Sequence, residues 1–339
     1  KFKSAPKALL PEAQIHNGWY QNPQFDPVTQ ADHPKAVLLG DRQLKFLNWW
    51  SESWENDTWM KVLLSQTIFA NVATLPRAEV LHDNVVPQLR ILNAGEYAPD
   101  DIPAADMDSN GWPQSGRDEA IKIIRKAFAF HIAGDQHLGS TIQYGVDAHG
   151  DSGYSICVPS VSNVFPRRWY PNPATKTNTG DFEDGFGNKI TVLAVSNPVF
   201  TGREPAKLYD RATGYGIVRF KRENRSISIE NWPRDADPEV DTPYQGWPIL
   251  IQQSDNFKPP KGAYLPLLKY QGPGEPLVQA YDSDSQLVWT IRLSENQNDF
   301  KVPHTGKYLL RVSINHSPRE YEAVATQEVE NRGELEITL

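Results

Sequence analysis

Phe130-His131-Ile132-Ala133-Gly134-Asp135-Gln136-His137 is the stretch whose reading decides this chain. It opens as a short buried strand: mostly apolar, too brief for a helix and closed by a glycine. The glycine turns the chain and then presents a carboxylate, Asp135, and an imidazole, His137, two residues apart. Ligand crevices form at the carboxyl ends of strands in open α/β sheets. Asp and His supply hard and borderline donors, suited to zinc, iron, manganese or calcium. The turn also reads as a plain polar turn whose aspartate caps neighbouring amides. His131 lies inside the strand and reads as a core histidine.

Working outward, Ala120, Ile121, Ile124 and Phe128 give an amphipathic helix that runs straight into the strand. Ser115, ahead of Arg117-Asp118-Glu119, suits its N-cap. Further upstream, Leu44, Leu47, Trp50 and Trp54 predict a helix over roughly 41–55, and Trp59 to Ala70 has the apolar density of a buried strand. Between them and the second helix, 71–114 reads as a long loop region with Pro76, Pro87, Pro99, Pro103 and Pro113. Residues 1–36 have no period and read as an extended segment packed on a body. Downstream, strands are expected near 140–147, 153–160, 189–195, 216–221 and 225–231. From about 263 the texture changes. Leu287, Trp289, Ile291 and Leu293 alternate, as do Tyr308, Leu310, Val312 and Ile314, the pattern of a small antiparallel, immunoglobulin-like β-sandwich. The boundary falls in the Pro/Gly-rich stretch near 258–275, dividing the chain into 1–262 and 263–339.

The chain has 339 residues, enough for a main unit and a smaller one. A net charge of -8 argues against a nucleic-acid backbone as partner. It leaves a phosphate substrate open, because a bound metal inverts the local field. Cys157 is the only cysteine, so neither an internal disulfide nor a CxxC site exists, and its flanks read as core. No apolar run reaches membrane-spanning length, and the polar start Lys1-Phe2-Lys3-Ser4 has no signal-peptide pattern. Asp181 to Asn188 places acids near a Gly turn but lacks EF-hand spacing, so a solvated turn is expected there. His16, His33, His82, His149, His304 and His316 are scattered and read as surface or satisfied histidines.

Several motifs then fall in one order: Leu39-Gly40-Asp41-Arg42-Gln43, Trp59 to Gln66, Asp106-Met107-Asp108-Ser109-Asn110-Gly111-Trp112-Pro113 with Arg117 behind it, Gly134-Asp135-Gln136-His137, and Pro159-Ser160-Val161-Ser162. Over about 1–165 this order resembles the second half of the alkaline phosphatase D (PhoD-like) family. One loop departs from that pattern: Trp112 stands where the family has Tyr, and Asn110 sits beside Gly111. The resemblance implies a mixed α/β metallophosphoesterase sandwich of sheets flanked by helices, incomplete at its N-terminus. It implies metal-assisted hydrolysis of phosphate monoesters or diesters by divalent or trivalent ions (Ca, Fe, Zn or Mn). Asp135 and His137 would be metal ligands, and Gln66, Asn110 and Trp112 would contact substrate. Gln66 also reads as a residue that satisfies backbone at a strand end, and Trp112 as a packing anchor. The family's earlier metal motifs have no counterpart ahead of Gly134. The expectation is therefore a fragment, a processed chain or a subunit that meets a separate N-terminal half. Extracellular or periplasmic location follows from the resemblance alone. The alternative is a non-catalytic extracellular carbohydrate-binding or structural module, to which the tryptophan-rich loops and the sandwich point.

Overall fold

In the computed structural model, residues 6–55, 57–77, 88–295, 297–314 and 317–338 are described. The expectations at Lys1 to Ser4, His82, Pro87 and His316 lie outside them. The helices are α1 (Pro6–Leu9), α2 (Pro27–Gln30), α3 (Asp41–Glu52), α4 (Gln114–Arg125) and α5 (Ala206–Tyr209). The strands of the larger part are β1 (Val62–Thr67), β2 (Thr74–Pro76), β3 (Asp101–Pro103), β4 (Phe130–Gly134), β5 (Ser140–Tyr144), β6 (Tyr154–Cys157), β7 (Gly180–Glu183), β8 (Lys189–Val195), β9 (Gly214–Lys221), β10 (Ser226–Pro233) and β11 (Ile249–Gln252). The class is mixed α/β, rich in sheet and sparing in helix.

The main sheet runs β1-β4-β6-β5-β8-β7, and β11-β10-β9 forms a second sheet. β1, β4 and β6 are mutually parallel, so their carboxyl ends share one edge. β5, β8 and β7 continue the sheet antiparallel. Side chains of β4 alternate between two cores, as the pleat requires. Ala133 joins Leu47, Ile121 and Ile124 under α3 and α4, while Phe130 joins Ile156, Ile227, Ile229 and Trp247 against the second sheet. The larger part is thus layered as helices, sheet and sheet.

Two helix termini show how distant residues set local structure. α3 opens where the Gly40 N–H donates to the Gln43 side chain at 3.2 Å, and it closes where the Lys61 ammonium donates to the Trp50 and Ser53 carbonyls. A cation suits those carbonyls because they carry the negative end of the helix dipole. α4 corrects the expected cap. It starts one residue before Ser115, whose N–H and hydroxyl both donate to Asp32 Oδ1 at 3.0 and 2.9 Å. The acceptor comes from far upstream, so Ser115 needs no capping geometry of its own.

β1 is shorter than the expected strand and is not buried on both sides. Among the described residues only β4 pairs with it, and Leu64 is 72% exposed. Buried Arg117 ties the loop after β1 to the end of β5 and the start of β8, donating to the carbonyls of Phe69, Gly145 and Lys189. Cys157 is a free, buried thiol pushed up to about 12 by burial. The 181–188 stretch is solvated only at Asp181 and Glu183. Asp184 is buried and accepts N–H bonds from Asn71, Phe186 and Asn188 (2.8 to 3.1 Å), because the turn packs against the loop after β1.

The remaining strands are β12 (Ala263–Tyr264), β13 (Leu267–Tyr270), β14 (Leu277–Tyr281), β15 (Leu287–Arg292), β16 (Lys301–Val302), β17 (Gly306–Ile314), β18 (Ser317–Ala325) and β19 (Glu334–Ile337). They form a four-stranded antiparallel sheet, β15-β14-β17-β18, and two strand pairs, β12-β16 and β13-β19. Their core (Val278, Trp289, Ile291, Leu310, Val312) also takes in Phe257 and Phe128. No described helix is long and apolar enough to cross a membrane.

Candidate active site at the carboxyl edge of the parallel strands

Beyond the ends of β1, β4 and β6 lies a cavity of about 190 Å³. Thr67 comes from the end of β1; Asp135, Gln136 and His137 follow β4; Phe165 and Arg167 follow β6. Asp106, Asp108 and Ser109 line it from the loop before α4, and Asn17 and Trp19 from the N-terminal segment.

The turn after β4 is held under strain. Asp135 and His137 both have left-handed backbones, φ 69° and 59°. Each such residue costs about 1–3 kcal/mol and persists only where its surroundings hold it. Gln136, between them, does the fixing. Its side chain is buried, accepts from the Val72 N–H (3.1 Å) and donates to Thr67 Oγ1 (3.0 Å) and the Ala70 carbonyl (2.6 Å). The buried amide ties the turn to the loop after β1 and sends its two neighbours toward the cavity.

Those neighbours are each oriented by a second group. Asp135 Oδ2 accepts from Gln66 Nε2 at 3.1 Å. His137 Nδ1 meets the Asn163 carbonyl at 2.5 Å, and only the protonated nitrogen can donate to a carbonyl. Nε2 is then the nitrogen with the free lone pair, the arrangement seen when a histidine ligates metal. Phe165 packs edge-on against the ring, centroids 6.2 Å apart. Arg167 is buried and clamped, donating to Asn71 Oδ1 at 2.7 Å and Asp106 Oδ2 at 3.0 Å. Three carboxylates (Asp106, Asp108, Asp135) face one guanidinium in the cavity wall, a formal excess of negative charge that favours a cation.

The five sequence candidates do not converge equally. Asp135 and His137 share the cavity. Gln66 touches Asp135 but faces a neighbouring groove. Asn110 is buried beneath that groove and donates to the Thr67 carbonyl at 2.9 Å, so it braces the end of β1. Trp112 reaches neither space. It is 0% exposed and donates to the Ala31 carbonyl at 2.7 Å, a packing anchor. Sequence reasoning passed over Gln136, Arg167, Phe165, Asn17 and Trp19. Gln136 alone carried a signal, as the residue enclosed by the Gly-Asp-x-His frame.

A metal's fit is partial. The donors Asp135 and His137 are right in kind and oriented. Among the described residues, however, no group of three or more His, Cys, Asp or Glu side chains could hold an ion. Zinc-type centres take three or four protein ligands.

No family model, no curated protein and no solved structure matches the chain.

Proposed function

We propose that this chain is the C-terminal part of a metal-dependent phosphoesterase of the alkaline phosphatase D type. On this reading it contributes the last metal-binding motif and takes a phosphate-ester substrate. One observation carries the reading: the strained turn at the end of β4 presents Asp135 and an imidazole whose Nδ1 is already committed to a carbonyl. A capping turn has no need of the second feature. The acid-lined cavity adjoining the turn supplies the charge that a cation would balance.

The donors still required would come from polypeptide that covers β1. Beside that edge lies a groove of about 340 Å³ lined by Leu39, Phe46, Leu63, Leu64 and Gln66, and Gln66 reaches from it to bond Asp135. A strand added there parallel to β1 would end at the same edge as β1 and β4. On this reading the larger part is a metallophosphoesterase sandwich, and the strands after 262 form an immunoglobulin-like appendage. The lectin-type alternative has one exposed aromatic pair to draw on, Phe46 with Trp49, while Trp19, Trp54, Trp112, Trp169, Trp232, Trp247 and Trp289 are buried.

The test extends the chain at its amino end with the preceding coding sequence and compares it with the chain alone. Metal content and turnover of p-nitrophenyl phosphate and bis-p-nitrophenyl phosphate are measured in both. Metal and activity are expected only in the extended form, and His137→Ala should abolish both. Full turnover by that variant would overturn the ligand assignment.

A further inference from the structure

A second cavity, of about 410 Å³, lies beyond the end of β8. Its size is that of a small-ligand site. Ser196 and Asn197 close one side, and four tyrosines, Tyr97, Tyr170, Tyr209 and Tyr244, come to it from four separate stretches of chain. The wall is held by bonds of its own. Tyr97 and Tyr170 pack edge to face, ring centroids 4.9 Å apart. The Tyr97 hydroxyl donates to the Thr177 carbonyl at 2.8 Å and accepts from the Asn172 N–H at 2.9 Å, which pins the loop that brings Lys176 and Asn178 to the cavity. The Tyr244 hydroxyl donates to the Thr213 carbonyl at 2.7 Å, and the Asn197 side chain bonds the Trp169 N–H and carbonyl at 2.7 and 2.9 Å.

One polar group of this wall is left over. Tyr170 is 4% exposed, yet its hydroxyl has no hydrogen-bond partner among the described residues. That oxygen is not one of the sealed orphan atoms of the interior, so it keeps accessible surface, and Tyr170 lines this cavity. Hydroxyls of buried residues are almost always bonded, so this one calls for a polar atom in the space it faces. The charge around the cavity narrows the choice. Glu96 is committed, accepting from the Asn93 N–H at 2.7 Å and facing Arg90 at 3.4 Å. The exposed Lys176 ammonium has no carboxylate partner among the described residues. A cationic ligand would meet that ammonium, and an apolar one would leave the Tyr170 hydroxyl unbonded. A hydroxylated aromatic acid uses all three features: its ring packs on the tyrosines, its phenol oxygen bonds the Tyr170 hydroxyl inside, and its carboxylate pairs with Lys176 at the rim.

We propose that this cavity binds a small hydroxylated aromatic acid, independently of the phosphoesterase reading. The test titrates the whole chain by NMR with 4-hydroxybenzoate, 4-hydroxyphenylacetate and 4-hydroxycinnamate, and with 4-hydroxybenzamide as a neutral counterpart. Tyr170→Phe, Lys176→Gln and His137→Ala variants are compared with wild type. At least one acid should bind, and more tightly than the amide. Tyr170→Phe should bind it about tenfold more weakly, Lys176→Gln should lose the preference for the acid, and His137→Ala should bind as wild type does. Tyr170→Phe removes an oxygen bonded to nothing in the fold, so its melting temperature should match that of wild type. Binding of none of the three acids, equal binding of the amide, or unchanged binding by Tyr170→Phe would overturn the proposal. So would weaker binding by His137→Ala, which would place the ligand in the carboxyl-edge cavity, or a fall of several degrees in the melting temperature of Tyr170→Phe, which would show the hydroxyl bonded within the fold.

Discussion

Strand β4 and the turn after it each hold a histidine, and the two are used in opposite ways. His131 is fully buried, with one ring nitrogen 2.8 Å from the Tyr144 hydroxyl and the other 2.8 Å from Ser65 Oγ. Burial lowers its pKa to about 3, so it stays neutral as a core connector. His137 is half-buried and commits one nitrogen, to Asn163. Commitment of both nitrogens makes a histidine part of the frame, and commitment of one makes it available to a ligand.

The largest way to break this contrast is Gln136→Leu. It strands the Val72 N–H, the Thr67 hydroxyl and the Ala70 carbonyl, and should cost about 2–4 kcal/mol in denaturant unfolding. The turn should relax from its left-handed geometry, and any metal uptake at Asp135 and His137 should fall with it. Unchanged stability would show that Gln136 does not hold the turn.

Next in size is the pH response of His131. Above pH 6.5 neither folded nor unfolded chain binds its proton; below it the unfolded chain does and the folded chain, down to about 3, does not. Stability is therefore lost as pH falls through that window, by about 1.4 kcal/mol per pH unit. Between pH 6.5 and 5 the contribution is about 2 kcal/mol, and it should vanish in His131→Asn. An equal acid slope in that variant would assign the loss elsewhere.

His137→Ala should change stability by under about 0.5 kcal/mol, as a half-exposed side chain with one bond, while removing any metal binding of the extended form. A larger loss would return His137 to the frame. Gln66→Ala is the smallest. Folding should be untouched, and any metal affinity of the extended form should fall about tenfold through loss of the group orienting Asp135. Titration calorimetry would read both.

The parts legible in sequence are those with short-range causes. The strand at 189–195 was read at its observed bounds because its alternation is local. β1 was misread as buried because apolar density reports what a strand can pack against, while its place at the sheet's edge depends on its neighbours. The cap of α4 was missed because its acceptor, Asp32, lies 83 residues from Ser115. Within the site, Asp135 and His137 stood out through one glycine turn. Arg167, Asn17 and Phe165 carry no comparable mark, since their meeting is a product of the fold.

Phe128 gives the molecule one more property. It stands two residues before β4, yet its ring packs against Phe257, Trp289 and Phe300, with centroids 6.0, 5.7 and 5.9 Å away. Nearby, the Thr290 N–H donates to the Lys126 carbonyl at 2.7 Å, and Arg292 reaches the carbonyls of Thr58 and Trp54. The C-terminal strands are thus riveted to the root of the strand that bears the candidate ligands. Heat should melt both cores in a single calorimetric peak, and tension applied at the C-terminus would be transmitted to the base of β4 before either core gave way alone.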